Sequence, residues 1–523
     1  MLRRIAACVP VCLALTASNT AAAPERHAWT IPGVVRIAWG TEPAFDPATF
    51  ATLADHILAR LIHEPLFDID SFGRLAPRLA VEVPTMANGG VTRDGLTIRY
   101  RLRSGAVFSD GSPVTANDVV QTVRAASANA LSYSELADIR ADGPSHLVVT
   151  LNRRSSSFVG KFLTSSGEVS YVLERGRAQP NGGDAYVGAG PYRVVSYRRG
   201  EGAHLAANER YYRGRPALNE IRITVLPDAN NRRIALAGHE VDLLVGQATG
   251  NATTATSFGR DVRETLTPVP GAITIVYATW HAPFDDVRVR RAFDLALDRR
   301  QIADHVYLGQ VLPATAYTLP GRWLDAPPHR ALIAHVADAQ RALEDAGWHP
   351  GADGIRTKNG RRLEVTLALQ PAFERLAVAL QAMYHTIGAD VTLRSYPINL
   401  YFALPNEGGI VKGGRFDAAI VGDLRSSEPE LSSELGCAAG KPLLSNNSRY
   451  CEAALSAALA RLEAAPDDRA RRTAYDAVRA ILDRDLPVSY VLHPAFYVAA
   501  NSDVHGIVMD SVGPFASAWQ WRT

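Results

Sequence analysis

The chain has 523 residues, 55 of them Lys or Arg and 53 Asp or Glu, for a formal net charge of +2. That length exceeds what one hydrophobic core serves and calls for two or three domains. The near-neutral balance excludes nucleic acid or an anionic membrane as the main partner.

The N-terminus reads as a secretory signal. Arg3 and Arg4 supply the charged region, Ile5 to Leu15 the apolar run and Ala21-Ala22-Ala23 the small-residue cleavage site. Removing residues 1–23 takes away two arginines and no acid, leaving 53 basic and 53 acidic residues. No later apolar run approaches the roughly 20 residues of a membrane span. An exported, soluble chain is expected.

Strand and helix signals then follow in order. Val34 to Trp39 is a strand running into the turn from Gly40 to Pro47, and Leu53, Ile57, Leu58 and Leu61 mark a helix. In the run Ile98 to Asp118, Ile98, Tyr100 and Leu102 alternate with arginines as a half-buried strand does. Ser104-Gly105 and Asp110-Gly111 are turns, and Thr115 with Asp118 forms a capping box ahead of Val119, Val120 and Val123. Further on come a strand from Ile221 to Leu226, a helix from Asn230 to Ala237 and a strand from Ala272 to Ala278. Asp286 and Asp298 cap two helices, and Ala337 to Ala346 is another, stopped by Gly347. Strand (Leu363–Leu369), helix (Ala372–Ile387) and strand (Val391–Tyr396) point to an α/β domain with a largely parallel sheet. Two helices near 452–463 and 467–484 precede a last strand, Val488 to Leu492.

Two of the four cysteines leave with the signal. Cys437 and Cys451 remain, an even pair in an oxidising compartment with no histidine between them, which predicts a disulfide rather than a metal site.

Four separated blocks carry a resemblance. They are Ile98 to Asp118; Gly188-Ala-Gly-Pro-Tyr192 with Asn208-Glu-Arg-Tyr-Tyr-Arg-Gly214; Pro283-Phe-Asp-Asp-Val-Arg-Val-Arg-Arg-Ala-Phe293; and Ala342-Leu-Glu-Asp-Ala-Gly-Trp348. In this order they resemble the peptide/nickel/opine class of extracellular solute-binding proteins that feed ABC importers. The resemblance implies an α/β, two-lobed periplasmic-binding-protein clamshell, type II-like and of the large class with an extra subdomain in lobe I. Lobe I would comprise 24–270 plus 489–523, with the extra subdomain at about 50–185, and lobe II would comprise 271–488. It further implies a monomer that captures a peptide or peptide-like solute between the lobes, needs no cofactor, and delivers to a permease and ATPase complex at the inner membrane.

The resemblance also locates candidate ligand positions. Peptide-binding relatives carry a Gly-Trp-x-x-Asp stretch whose carboxylate holds the peptide ammonium. The matching segment here, Phe416 to Pro429, is one residue short: Arg425 or Ser426 falls at the carboxylate position and Asp423 where the tryptophan would be. A guanidinium suits a carboxylate or phosphate, so Arg425 predicts an anionic group on the ligand, with Asp423 as the alternative contact. Glu42, Trp280, Tyr401 and Tyr490 are further candidates. An opine-like or sugar-phosphate-like anion and a metal chelate are the alternative ligands.

No catalytic motif is present. Gly436 to Lys441 is one residue short of a phosphate loop and continues into Pro442. There is no Gly-x-Ser-x-Gly and no His-Glu-x-x-His. The competing class, an exported hydrolase on a similar scaffold, would need a nucleophile and base that the sequence does not display.

Overall fold

The structure is a computed structural model that describes residues 26–43, 45, 53–70, 74–128, 133–164, 171, 186–248, 258–269, 271–320, 330–424, 431–438, 440–510 and 513–523. Residues 1–23, read as the signal, lie outside the described residues, as do Arg425 and Ser426.

Two large sheets organise the chain. The first has seven strands in the order Val262–Pro268, Ala495–Asn501, Leu243–Ala248, Val34–Trp39, Glu220–Val225, Gly202–Ala207 and Tyr192–Arg198. Val34–Trp39 runs parallel to both neighbours. Its residues Val35, Ile37 and Trp39 join a core with Leu58, Leu61, Tyr192, Leu243 and the C-terminal Phe515 and Trp521.

The second sheet has six strands: Leu312–Pro313, Val488–His493, Gly271–Tyr277, Ala418–Leu424, Glu364–Leu369 and Asp390–Ser395. The strand–helix–strand alternation in the sequence predicts a largely parallel sheet here, and the pairing corrects it. Only Glu364–Leu369 pairs in parallel, with Asp390–Ser395 and with Ala418–Leu424. Gly271–Tyr277 is antiparallel to both of its partners. The reason is connectivity. Strand–helix–strand crossovers generate parallel neighbours, but Gly271–Tyr277 and Val488–His493 connect directly to strands of the other sheet.

Both crossings between the sheets are short. Val262–Pro268 leads into Gly271–Tyr277, and Val488–His493 passes through Pro494 into Ala495–Asn501. The two also touch: the Val269 amide donates to the Pro494 carbonyl at 2.9 Å, and His493 Nδ1 lies 2.8 Å from the Gly271 carbonyl oxygen. The return to the seven-stranded sheet therefore begins at Ala495, whereas the sequence reading set it at 489.

A third core surrounds a three-stranded sheet of Thr97–Arg101, His146–Leu151 and Leu136–Ala141. Ile98, Tyr100 and Leu102 are buried in it while Arg99 and Arg101 are exposed, as the alternation requires. The helix Ala116–Ala128 buries Val119, Val120 and Val123. Its cap differs in one detail from the box expected. The Asp118 carboxylate takes the Thr115 amide at 2.8 Å, and the Thr115 hydroxyl donates to that same carboxylate at 2.6 Å instead of accepting a helix amide.

The other caps follow the sequence closely. Asp286 accepts from the Arg288 amide at 2.9 Å and Asp298 from Gln301 at 2.7 Å; the structure adds a cap that the sequence reading did not name, Asp467 accepting from the Ala470 amide at 2.8 Å. The Gly188 to Pro191 block is explained by a close approach. The Gly190 amide donates to the Ile62 carbonyl at 3.0 Å, and a methyl at Gly190 would come within 2.5 Å of the Ile62 carbonyl carbon.

Candidate functional site

Alternation in the six-stranded sheet creates a site on one of its faces. Ile273, Ile275 and Tyr277 point to one side and pack with Phe293, Leu343 and Leu380. Thr274 and Val276 point to the other side, and so do Val488 and Tyr490 from the neighbouring strand. That second face is covered by the helices Ala453–Glu463 and Asp468–Asp485. The cover is incomplete. A cavity of about 360 Å³ lies over Thr274, Val276, Val421, Gly422, Val488 and Tyr490. The helix Leu431–Leu435 walls it with Leu431, Glu434 and Leu435.

Aromatic and polar groups complete the lining. Tyr317 and Phe402 give apolar surface, and Lys412, Ser445, Asn447 and Ser448 bring polarity. Lys412 is half-buried, and among the described residues it has no ion-pair partner. The Asn447 side-chain oxygen is buried without a hydrogen-bond partner among the described residues. Leaving such a group unsatisfied costs about 1–3 kcal/mol. One side chain thus offers a charge to an anion while another lacks a donor.

A disulfide fixes part of this wall. Cys437 and Cys451 are bonded across a separation of 14 residues, as the sequence predicted, and the loop they close carries Ser445, Asn447 and Ser448. Asn446 pins it from within, donating to the carbonyls of Gly436 at 3.2 Å and Tyr450 at 2.9 Å. Next to it, the Arg449 guanidinium stacks on the Trp280 ring at 4.5 Å, with Phe416 edge-on to the same ring. Gly414 permits the stack, since a methyl there would come within 2.5 Å of Arg449 Nη2.

The candidate residues disperse. Tyr490 is 5% exposed and lines the cavity, with Arg330 over its ring at 4.9 Å; burial pushes its hydroxyl pKa up. Trp280 is half-buried in the stack just described. Asp423 lies in the strand Ala418–Leu424 opposite Ala272, directly after the cavity residues Val421 and Gly422. Tyr401 is fully buried, its hydroxyl 2.8 Å from the Ile420 carbonyl oxygen and 3.1 Å from that of Ala368. Glu42 lies in the loop after the strand Val34–Trp39 of the other sheet: the Tyr197 hydroxyl and the Gly200 amide both donate to its carboxylate.

Sequence reasoning missed Lys412, Asn447 and Ser448. Lys412 did carry a signal, as one of only four lysines among 55 basic residues. Among the described residues, no group of three or more His, Cys, Asp or Glu could hold a metal ion.

Comparison with known proteins places this architecture. Residues 75–432 match the profile of the bacterial extracellular solute-binding proteins, family 5 (middle region). The chain belongs to this family. It is 33% identical over 329 residues to Protein XP55 of Streptomyces lividans, covering 58% of this chain and 56% of that protein. It is 27% identical over 327 residues to the oligopeptide-binding protein AppA of Bacillus subtilis (strain 168), covering 57% and 58%. The alignments thus span less than two thirds of these two relatives. A solved structure of AppA with a nonapeptide superposes over 94% of this chain and 99% of that one, with a TM-score of 0.72 at 20% identity. The fold is therefore the two-lobed one of periplasmic binding proteins. No helix among the described residues is long and apolar enough to cross a membrane.

Proposed function

We propose that this chain is the exported substrate-binding subunit of an ABC importer, capturing a peptide or peptide-like solute and presenting it to a membrane permease and its ATPase. One observation carries the reading: the cavity on the six-stranded sheet, with aromatic walls and, among the described residues, a lysine without an ion-pair partner and a buried acceptor without a donor. About 360 Å³ falls at the lower end of small-ligand sites, which run from about 300 to 1,000 Å³. That size suits a solute of dipeptide dimensions. Lys412 complements a carboxylate and Asn447 an amide or ammonium donor, both of which a short peptide supplies. The anionic group that Arg425 predicts thus acquires a second partner in Lys412.

Within this reading, the units built on the seven-stranded and three-stranded sheets form lobe I and its subdomain. The six-stranded unit forms lobe II, with the second crossing at Pro494. Residues 1–23 are a cleaved signal, and the mature chain works as a periplasmic monomer.

The test is a thermal-shift screen of the purified protein against dipeptides and tripeptides, each with a free and an amidated C-terminus, backed by mass spectrometry of whatever co-purifies. A ligand at 100 times its Kd stabilises by about 2.7 kcal/mol. Free-acid peptides should shift the melting temperature and amides should not. Lys412→Gln should abolish the difference. Equal shifts by acids and amides would remove Lys412 from the site, and turnover of peptides or esters would refute the transport reading.

A further inference from the structure

The helix Ala453–Glu463 ends on a glutamate, a position where the negative end of the helix dipole disfavours a carboxylate. What surrounds Glu463 accounts for it. One carboxylate oxygen accepts the Ser432 hydroxyl at 3.1 Å. The other accepts the hydroxyls of Ser155 at 3.2 Å and Ser157 at 3.1 Å. The Glu463 carbonyl, one of the last four in its helix and without an intrahelical donor, takes the Ser156 amide at 2.7 Å. The Ser156 hydroxyl donates to the Leu462 carbonyl at 2.8 Å.

These partners come from different bodies. Ser155 to Ser157 lie between the strand His146–Leu151 and the helix Phe158–Lys161 of the third core, more than 300 residues before Glu463. Ser432 sits on the helix Leu431–Leu435, whose Leu431, Glu434 and Leu435 wall the cavity. A single carboxylate therefore touches the cavity wall with one oxygen and the facing unit with the other.

We propose that Glu463 is a positioning residue that couples the cavity to inter-unit docking. A solute that orders the Leu431–Leu435 helix holds Ser432 on Glu463, and so holds the carboxylate where Ser155 and Ser157 can reach it. Loss of the solute frees the helix and loosens the docked unit. The inference rests on the solute-binding reading, since it assigns the cavity as the occupied site. By reciprocity, a disturbance on either side of Glu463 must reach the other.

Hydrogen–deuterium exchange on the purified full-length chain, with no ligand added, tests this. Glu463→Ala should speed exchange about tenfold in both the 153–160 and the 431–436 segments. Glu463→Gln, which keeps one oxygen acceptor, should fall between it and wild type. The decisive variants are indirect ones. Ser432→Ala should speed exchange in 153–160, which it does not touch, and Ser155→Ala with Ser157→Ala should speed it in 431–436. Effects confined to the segment mutated would overturn the coupling, as would unchanged exchange in Glu463→Ala. Far-UV circular dichroism and the melting temperature identify any variant that fails to fold, and the two serine changes, which remove only hydroxyls, then decide the matter. Because no peptide enters the experiment, its outcome is independent of the thermal-shift screen, and the two failures are distinguishable.

Discussion

Asp294 holds the back of the candidate site, and removing its charge should be costly. The residue directly follows the Pro283 to Phe293 block and is buried. Its Oδ1 accepts from Arg299 Nη2 at 2.6 Å and from the Ser489 hydroxyl at 2.6 Å, with Arg330 Nη1 at 3.4 Å. Burial alone would raise the carboxyl pKa, but Arg299, Arg330 and the Ser489 hydroxyl outweigh it and hold the group below the ordinary carboxylate range. Arg299, at 0% exposure, also donates to the Tyr490 carbonyl at 2.7 Å, so the network fixes a cavity-lining strand. In Asp294→Asn, Arg330 keeps Asp483 at 2.9 Å, but Arg299 is left a buried cation without a carboxylate. Breaking a buried pair on one side costs about 3–5 kcal/mol, and the surviving amide hydrogen bond places the change near the lower end. With a urea slope of about 3 kcal/mol per molar, the midpoint of the six-stranded unit should fall by about 1 M. Urea titration followed by intrinsic fluorescence measures it. A drop under about 0.3 M, or about 1 kcal/mol by that slope, would refute the assignment of the network as a stabilising one.

Three further outcomes can be checked in the same way. Gly190→Ala should destabilise by about 1–3 kcal/mol through overlap with the Ile62 backbone, read as a lower melting temperature with the cavity's ligand affinity unchanged. Cys451→Ser opens a loop of 14-residue separation and should cost about 3 kcal/mol; because Asn447 and Ser448 ride on that loop, peptide affinity should fall as well. His63 is 3% exposed, with Nε2 donating to the Phe45 carbonyl at 2.8 Å, and burial lowers its pKa from 6.5 to about 4. The unfolded chain therefore binds a proton between those values that the folded chain refuses, and stability falls as pH drops from 6.5 to 4. At 1.36 kcal/mol per pKa unit the loss reaches about 3 kcal/mol. Denaturation midpoints across that window should drop less in His63→Gln.

What was legible in the sequence is what local chemistry decides. Periodicity marked Ile98, Tyr100 and Leu102 as inward, and the aspartates at 286 and 298 announced their helices because an N-cap needs only the amides two or three residues away. The disulfide was legible because compartment and parity leave two cysteines one choice. The site was not legible in this way. Its wall joins Thr274 and Tyr490, on neighbouring strands of a mixed sheet, with Lys412 and Asn447 on loops, and nothing in the spacing of those positions encodes that assembly. Tyr401 illustrates the limit from the other side. It sits at a suitable place in the chain, yet its hydroxyl is used by the Ile420 and Ala368 carbonyls inside the core. Glu42 likewise finds its partners in Tyr197 and Gly200, more than 150 residues away.

The strengths of the contacts divide along the lines the function requires. Inside the six-stranded unit, buried guanidinium–carboxylate contacts such as Arg299 to Asp294 make rearrangement expensive, and the disulfide holds the loop that carries Asn447. At Glu463 the contacts are hydroxyls and an amide on a partly buried carboxylate and a helix end, each worth about 0.5–3 kcal/mol net. At the crossings, the Val269 amide on the Pro494 carbonyl and the His493 ring on the Gly271 carbonyl join two segments of a few residues, short enough to absorb a rotation in a handful of dihedrals. A binding protein must keep its recognition surface rigid while its lobes part at a cost that one solute can offset. Such a solute contributes only its differential affinity for the closed state. Neutral hydroxyls at the docking contact suit that scale, whereas an ion pair as deeply buried as that of Asp294 would hold the units shut.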